Sequence, residues 1–141
     1  MIIDKRLQVA TDQAVTGATT TASTDAVDLG SDRDVGPGRP LWLVVAIKVA
    51  LGGTTPTFNF SIQTDDNSSF SSAATLATSI TLSGAAAAPA GKLMVLAVPL
   101  ENERYIRAAF TLGGTSPTIT VDAWFTDQEP TVLGNLIPDG L

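Results

Sequence analysis

Phe58-Asn59-Phe60-Ser61-Ile62-Gln63 alternates apolar and polar residues one by one. Successive side chains of a β-strand point to opposite faces, so Phe58, Phe60 and Ile62 share one face and Asn59, Ser61 and Gln63 the other. This is the pattern of a strand with one face in a core and one in water. Two later stretches repeat it. Residues 118–125 put Ile119, Val121, Ala123 and Phe125 inward, with Thr118, Thr120 and Asp122 outward. Residues 103–112 place Ile106, Ala108, Phe110 and Leu112 together, opposite Tyr105, Arg107 and Thr111. The run Leu41-Trp42-Leu43-Val44-Val45-Ala46-Ile47 is apolar on both faces, as in a central strand or one that meets a second subunit.

Upstream of the opening stretch lies Leu51-Gly52-Gly53-Thr54-Thr55-Pro56-Thr57. It recurs as Leu112-Gly113-Gly114-Thr115-Ser116-Pro117-Thr118. Each copy separates two strand-like segments, so each reads as a hairpin connection, with glycines free to take positive φ. Phosphate cradling by the paired glycines is a poor alternative. No helix follows, no lysine is placed, and neither nucleotide-binding spacing is present.

Weaker strand patterns cover residues 2–9, 22–29, 75–82 and 92–98, which brings the total to about eight. Gly, Pro, Asp and Ser clusters at 30–40, 65–69 and 84–91 space them. No convincing helix is present: 67–80 is Ser-rich and supports a turn or two, and Ala85–Ala88 is closed by Gly84 and Pro89. The expected fold is all-β: a single antiparallel sandwich or barrel over residues 1–126, followed by a C-terminal tail over 127–141.

The chain of 141 residues has no cysteine and no histidine, which removes thiol chemistry, the commonest general base and the commonest metal ligand. Eight Lys and Arg oppose fourteen Asp and Glu, a net charge of −6 that disfavours a grip on nucleic acid. No apolar run is long enough to span a membrane, and the start, Met1 to Arg6, lacks a signal-peptide order; a soluble protein made in the host cytoplasm is expected.

The remaining chemistry rests on carboxylates. Asp65/Asp66, Asp32/Asp34 and Glu101/Glu103 could form a glycosidase-type pair, yet the first two lie in turn-like segments and the third beside Arg104. Asp32-Arg33-Asp34 and Asp65-Asp66-Asn67 do not match a calcium loop. Lys5, Lys48 and Lys92 sit in no nucleophile motif. Catalytic, metal and cofactor sites are therefore all expected to be none. Trp42, Trp124 and Tyr105 could stack on a sugar, but core or protein contact is the better reading. Trp124 falls on the polar side of its strand and is expected to be exposed.

Several segments, in order, resemble the capsid cement (decoration) proteins of short-tailed Bordetella-type phages. They are Asp12-Gln13-Ala14-Val15-Thr16, Ser23-Thr24-Asp25-Ala26-Val27-Asp28-Leu29-Gly30 and Arg33-Asp34-Val35-Gly36-Pro37-Gly38-Arg39-Pro40-Leu41-Trp42-Leu43-Val44-Val45. Gln63-Thr64-Asp65-Asp66 with Phe70-Ser71-Ser72, and Arg104-Tyr105-Ile106-Arg107, follow. The resemblance runs from about residue 2 to residue 126 and leaves the tail and the alanine-rich loop unmatched. It implies a single jelly-roll-like antiparallel β-sandwich, a non-enzymatic virion protein on the capsid exterior. Its partners would be the major capsid protein and further copies of itself, as a dimer or trimer. A carbohydrate-binding jelly roll, or another head or tail protein, is the alternative.

The expected contact residues are Trp42 and Trp124 together with Val132, Leu133, Leu136, Ile137 and Leu141 of the tail. Pro130 ends the preceding strand ladder, and the tail is too apolar for a disordered segment, so it should dock. A neighbouring subunit is the expected seat.

Overall fold

A computed structural model describes residues 3–32, 38, 40–100 and 102–128. The tail residues Val132, Leu133, Leu136, Ile137 and Leu141, and with them Asp34 and Glu101, lie outside the described residues.

The architecture is antiparallel and all-β, with eight strands joined in one sheet. They are β1 (Gln8–Thr16), β2 (Thr20–Ala22), β3 (Val27–Asp28), β4 (Trp42–Asp65), β5 (Ala74–Thr78), β6 (Leu82–Ser83), β7 (Leu93–Ala97) and β8 (Tyr105–Thr126). A 3-10 turn, Lys5–Leu7, precedes them, capped by the Asp4 carboxylate, which accepts from the Arg6 N–H. Among the described residues no helix is long and apolar enough to cross a membrane.

The sequence suggests four separate strands where the structure has two long ones. Residues 42–47 and 58–63 are parts of β4, and 105–112 and 118–125 are parts of β8. The two Leu-Gly-Gly segments are therefore not hairpins. They lie in the middle of the long strands, side by side, where β4 and β8 pair in opposite directions. Gly52 is opposite Thr118, Thr54 is opposite Thr115, and Thr57 is opposite Gly113, with register shifts between these pairs. Exchanging the two copies, 61 residues apart (112 − 51), maps this set of pairs onto itself. The positive φ that glycine allows is used for bulges inside continuous strands, not for turns. Gly53 has φ 117° and Gly114 φ 100°, and Thr55 and Ser116, which follow them by two residues, have φ 48° and 49°.

The same pseudo-two-fold relation governs the rest of the sheet. Every strand before β4 pairs with β8, and every strand between β4 and β8 pairs with β4. β1 covers the C-terminal half of β8, as β5 and β6 cover that of β4. β2 and β3 cover the N-terminal half of β8, as β7 covers that of β4. Even the details correspond: the Gly17 N–H donates to the Pro117 carbonyl at 3.0 Å, and the Gly84 N–H to the Pro56 carbonyl at 2.8 Å. The chain is thus two similar halves that have exchanged their flanking strands, and neither half can complete its sheet alone.

The inward residues read from the alternation are all buried. Phe58, Phe60, Ile62, Ile106, Ala108, Phe110, Leu112, Ile119, Val121, Ala123 and Phe125 belong to one core cluster with Leu43, Val45 and Ile47. Both halves of each long strand therefore feed a single core. With no helix among the described residues to cover that face, the sheet must cover itself. β5 and β7, bonded to opposite halves of β4, indeed contact one another.

Residues 41–47 are central as expected, flanked by β7 on one side and β8 on the other. The first strand is the weakest reading. It runs over 8–16 and not 2–9, because bulges between Gln8 and Gln13 break the alternation and four of its residues are exposed.

Candidate functional site

Asp65 ends β4 and closes the turn that follows. Its carboxylate accepts from the Asn67 N–H at 2.9 Å, the Ser72 N–H at 2.7 Å and the Ser72 hydroxyl at 3.2 Å. Beside it, the buried Thr64 hydroxyl donates to the Tyr105 carbonyl at 2.9 Å and accepts from the Glu103 N–H at 2.8 Å. That link brings Glu103 next to the turn, so that one oxygen each from Asp65, Asp66 and Glu103 lie within 4.8 Å of one another. The sequence pairs Asp65 with Asp66 and Glu101 with Glu103; the structure merges part of each into one acidic corner.

Backbone N–H groups bond to both Asp65 oxygens, that of Asn67 to one and that of Ser72 to the other. The first of these bonds, from Asn67, is the main reason that Asp65 titrates below the ordinary carboxylate range. Asp66 is pushed the other way, chiefly by its hydrogen bond to Asp65, then by burial and the charges of Asp65 and Asp32.

The two shifts carry opposite signs of pH dependence. Asp65 contributes stability that is present above the unfolded carboxylate pKa, about 3.9, and lost as pH falls through its lower folded value. Asp66 stabilises the fold only when protonated, so its contribution is lost as pH rises through its raised folded value. Asp65→Asn is therefore expected to lower the melting temperature by several degrees at pH 7, and Asp66→Asn to raise it slightly. Both differences should shrink toward pH 3 in thermal melts.

The other charged groups form surface pairs or brace loops. The Arg104 guanidinium grips Asp28 with bonds of 2.9 and 3.1 Å, and Lys48 lies 3.1 Å from Asp12 and 3.4 Å from Asp122. Such exposed pairs are each worth about 0–1 kcal/mol. The Lys92 ammonium donates to the Ala87 carbonyl at 2.8 Å. Arg107 lies 4.0 Å over the Phe70 ring and donates to Gln63. None of these aligns a base with a hydroxyl nucleophile.

The aromatic residues divide between two ends of the sheet. Tyr105 is opposite Asp65 and packs edge-on against Phe70, with ring centroids 6.5 Å apart. Trp42 is opposite Thr126 and Trp124 opposite Val44, at the other end. The three therefore form no common platform for a sugar.

Trp124 is not exposed as the alternation suggests; it is 4% exposed. The outward face is polar at Thr118, Thr120 and Asp122, but becomes apolar at Trp124, where Val44, Ala46, Leu93 and Val95 surround it. Alternation within one strand cannot register a face made by three strands. Trp42 is half-buried beside this cluster. A cleft of about 410 Å³ opens there, lined by Leu7, Leu41, Trp124 and Gln128 among others. A second, of about 430 Å³, lies between β5–β6 and β7, where Ile80 is 75% exposed. Sequence reasoning missed Ile80, which lies within a segment read as a strand but falls between β5 and β6.

The family model for Bbp16 matches residues 9–124, which is nearly all of the described sheet. The chain belongs to the Bbp16 family. The Bbp16 name is that of a Bordetella phage protein, and membership over most of the chain is consistent with a phage structural protein. No curated protein sequence matches. Among solved structures, a chain in the structure of infectious bursal disease virus Gx strain is similar with a TM-score of 0.37 and 12% identity, over 84% of this chain. The match covers 29% of that chain, and a likeness of this degree carries no argument about function. The Bbp16 match begins one residue into β1 and ends at Trp124, so it includes both Leu-Gly-Gly crossings and stops short of the tail.

Proposed function

We propose that this Bbp16-family protein is a cement protein. It would bind the exterior of a tailed-phage capsid and bridge neighbouring major-capsid subunits, as a jelly-roll-like homo-oligomer without catalytic activity. The observation that carries this reading is the family match over residues 9–124, taken with the ordered motifs that resemble Bordetella-type cement proteins. The fold agrees with it: a sheet that encloses its own core suits a clamp whose work is done by its surfaces.

The contact surface we assign is the end of the sheet where Trp42 lies and where the chain leaves β8 toward Val132, Leu133, Leu136, Ile137 and Leu141. Trp124 supports that surface from beneath. A partner that binds only the closed shell stabilises it by mass action, by about 2.7 kcal/mol per site at a hundred times the dissociation constant. Adding the purified protein to shells that lack it should raise the temperature at which they release DNA, with saturable binding. Shells that bind none of it, or open at the same temperature with sites filled, would refute the proposal.

A further inference from the structure

Among the described residues, seven ladders hold the sheet together, and every one of them runs between the set β1–β4 and the set β5–β8. β1, β2 and β3 pair with β8, β5, β6 and β7 pair with β4, and β4 pairs with β8. No ladder among them joins two strands of the same half. The core is divided in the same way. Phe58, Phe60 and Ile62 of the first half and Ile106, Ala108 and Phe110 of the second belong to one cluster. Each half is therefore a set of unpaired strands until the other arrives.

One connection joins the halves, the turn over residues 66–73 between β4 and β5. Opposing forces meet there. The Asp65 carboxylate accepts from the Asn67 and Ser72 N–H groups, and the Phe70 ring packs against Tyr105. Against closure, Phe70 has a φ of 51°, a left-handed value that bulky L-residues rarely adopt. The turn also gathers Asp65, Asp66 and Glu103, three carboxylates, into one corner.

If this turn opens in two chains at once, the first half of each can pair with the second half of the other. Every ladder and the whole core are then recreated, and only the turn is altered. The eight residues 66–73 reach roughly 28 Å when extended, enough to pass from one assembled unit to another beside it. Folding leaves time for the choice. Trp42 pairs with Thr126, 84 residues away (126 − 42), and ladders of such long range close slowly.

We propose that this chain exchanges halves with a second copy of itself. β1–β4 of one copy assemble with β5–β8 of the other, and the reverse, giving a two-fold dimer of two complete units joined by two 66–73 segments. The partner surface is the pairing edge of each half, already used within the single chain. The closed turn holds the two halves of one chain at a millimolar effective concentration, so exchange grows as the protein concentration approaches that value. Asp65 sets the balance, because its bonds to Asn67 and Ser72 belong to the closed turn.

The chain has no cysteine, so one engineered disulfide reports which chains the paired halves belong to. Asn59 and Thr111 are directly opposite in the β4–β8 ladder and half-buried, at a spacing that a disulfide can span. The full-length variant Asn59→Cys, Thr111→Cys is refolded from urea at low and at high protein concentration and oxidised. A denaturing gel without reductant then separates bonds within one chain from bonds between two. The two-chain band is expected to grow with concentration, and to grow several-fold further when Asp65→Ala is added. Deleting residues 66–73 leaves no room for the turn between Thr64 and Ala74, which pair in the closed chain. Nearly all of that variant should run as two chains. A one-chain band at every concentration, unchanged by Asp65→Ala, would overturn the proposal even if the deletion variant failed to fold. A two-chain band as strong in Asn59→Cys or Thr111→Cys alone would overturn it too, by showing collision of surfaces instead of exchange. No capsid is involved, so these results stand or fall separately from the cement reading.

Discussion

Gly114→Ala is expected to cost about 3 kcal/mol or more and to leave little folded protein at 37 °C. A Cβ at this position would lie 2.6 Å from the Thr55 carbonyl oxygen and 2.8 Å from that of Thr54. Both atoms are backbone of the partner strand, and the φ of 100° is itself one that L-residues rarely adopt. The neighbours cannot yield without moving the crossing of β4 and β8, which every other strand depends on. Gly53→Ala should behave alike, since its Cβ would meet the Pro117 Cα at 2.9 Å. Gly17 is the control: its φ is 83°, but nothing lies within 4 Å of the added carbon. Gly17→Ala should cost only about 1–2 kcal/mol, the strain of φ alone. Urea denaturation of the three variants gives the comparison. Equal effects at Gly17 and Gly114 would mean that the strands do not cross as described.

Phe110→Ala is expected to destabilise by about 3–5 kcal/mol, a large share of the 5–15 kcal/mol typical of a domain. Phe110 is fully buried and stands opposite Phe60, itself fully buried, in the N-terminal half of β8. Removing the ring leaves a cavity between two rows of rigid strand, where neither backbone can collapse inward to refill it. The midpoint of urea unfolding should fall with little change of slope, because the surface exposed on unfolding is nearly the same. Val49→Ala, at a side chain 59% exposed, should shift the midpoint by no more than about 0.5 kcal/mol. A slope that changed strongly in Phe110→Ala would show instead that the two halves unfold separately, against a single shared core.

The sequence disclosed the class of fold and most of the core because period-two alternation is a local property. Phe58, Phe60 and Ile62, or Ile119, Val121 and Phe125, show their common face with no knowledge of their partners. The long strands were hidden for the complementary reason. Whether a Gly-Gly pair turns the chain or only kinks it depends on what lies beside it, and here each copy lies beside the other, 61 residues away. The repeat was visible; its self-pairing was not. Trp124 failed in the same way, since the apolar surroundings of its outward face come from β4 and β7. Gln8 to Gln13 concealed a strand start because bulges shift the alternation that would reveal it. At the acidic corner, Asp65 and Asp66 were legible as a pair, while the approach of Glu103 required the pairing of Asp65 with Tyr105.

Cement function distributes the work over surfaces, and this fits a molecule whose polar groups are spent on turns, ladders and surface pairs. The acidic corner holds its own loop, Lys48 pairs with Asp12 and Asp122, and Lys92 braces the Ala87 carbonyl.

The cement reading is tested most directly by cryo-electron microscopy of phage particles that carry this protein. The account predicts many copies in symmetric positions on the outer surface of the head, each touching more than one major-capsid subunit, with the Trp42 end of the sheet at the contact. A protein present in a few copies at the tail or the portal, or on the inner surface of the shell, would contradict it.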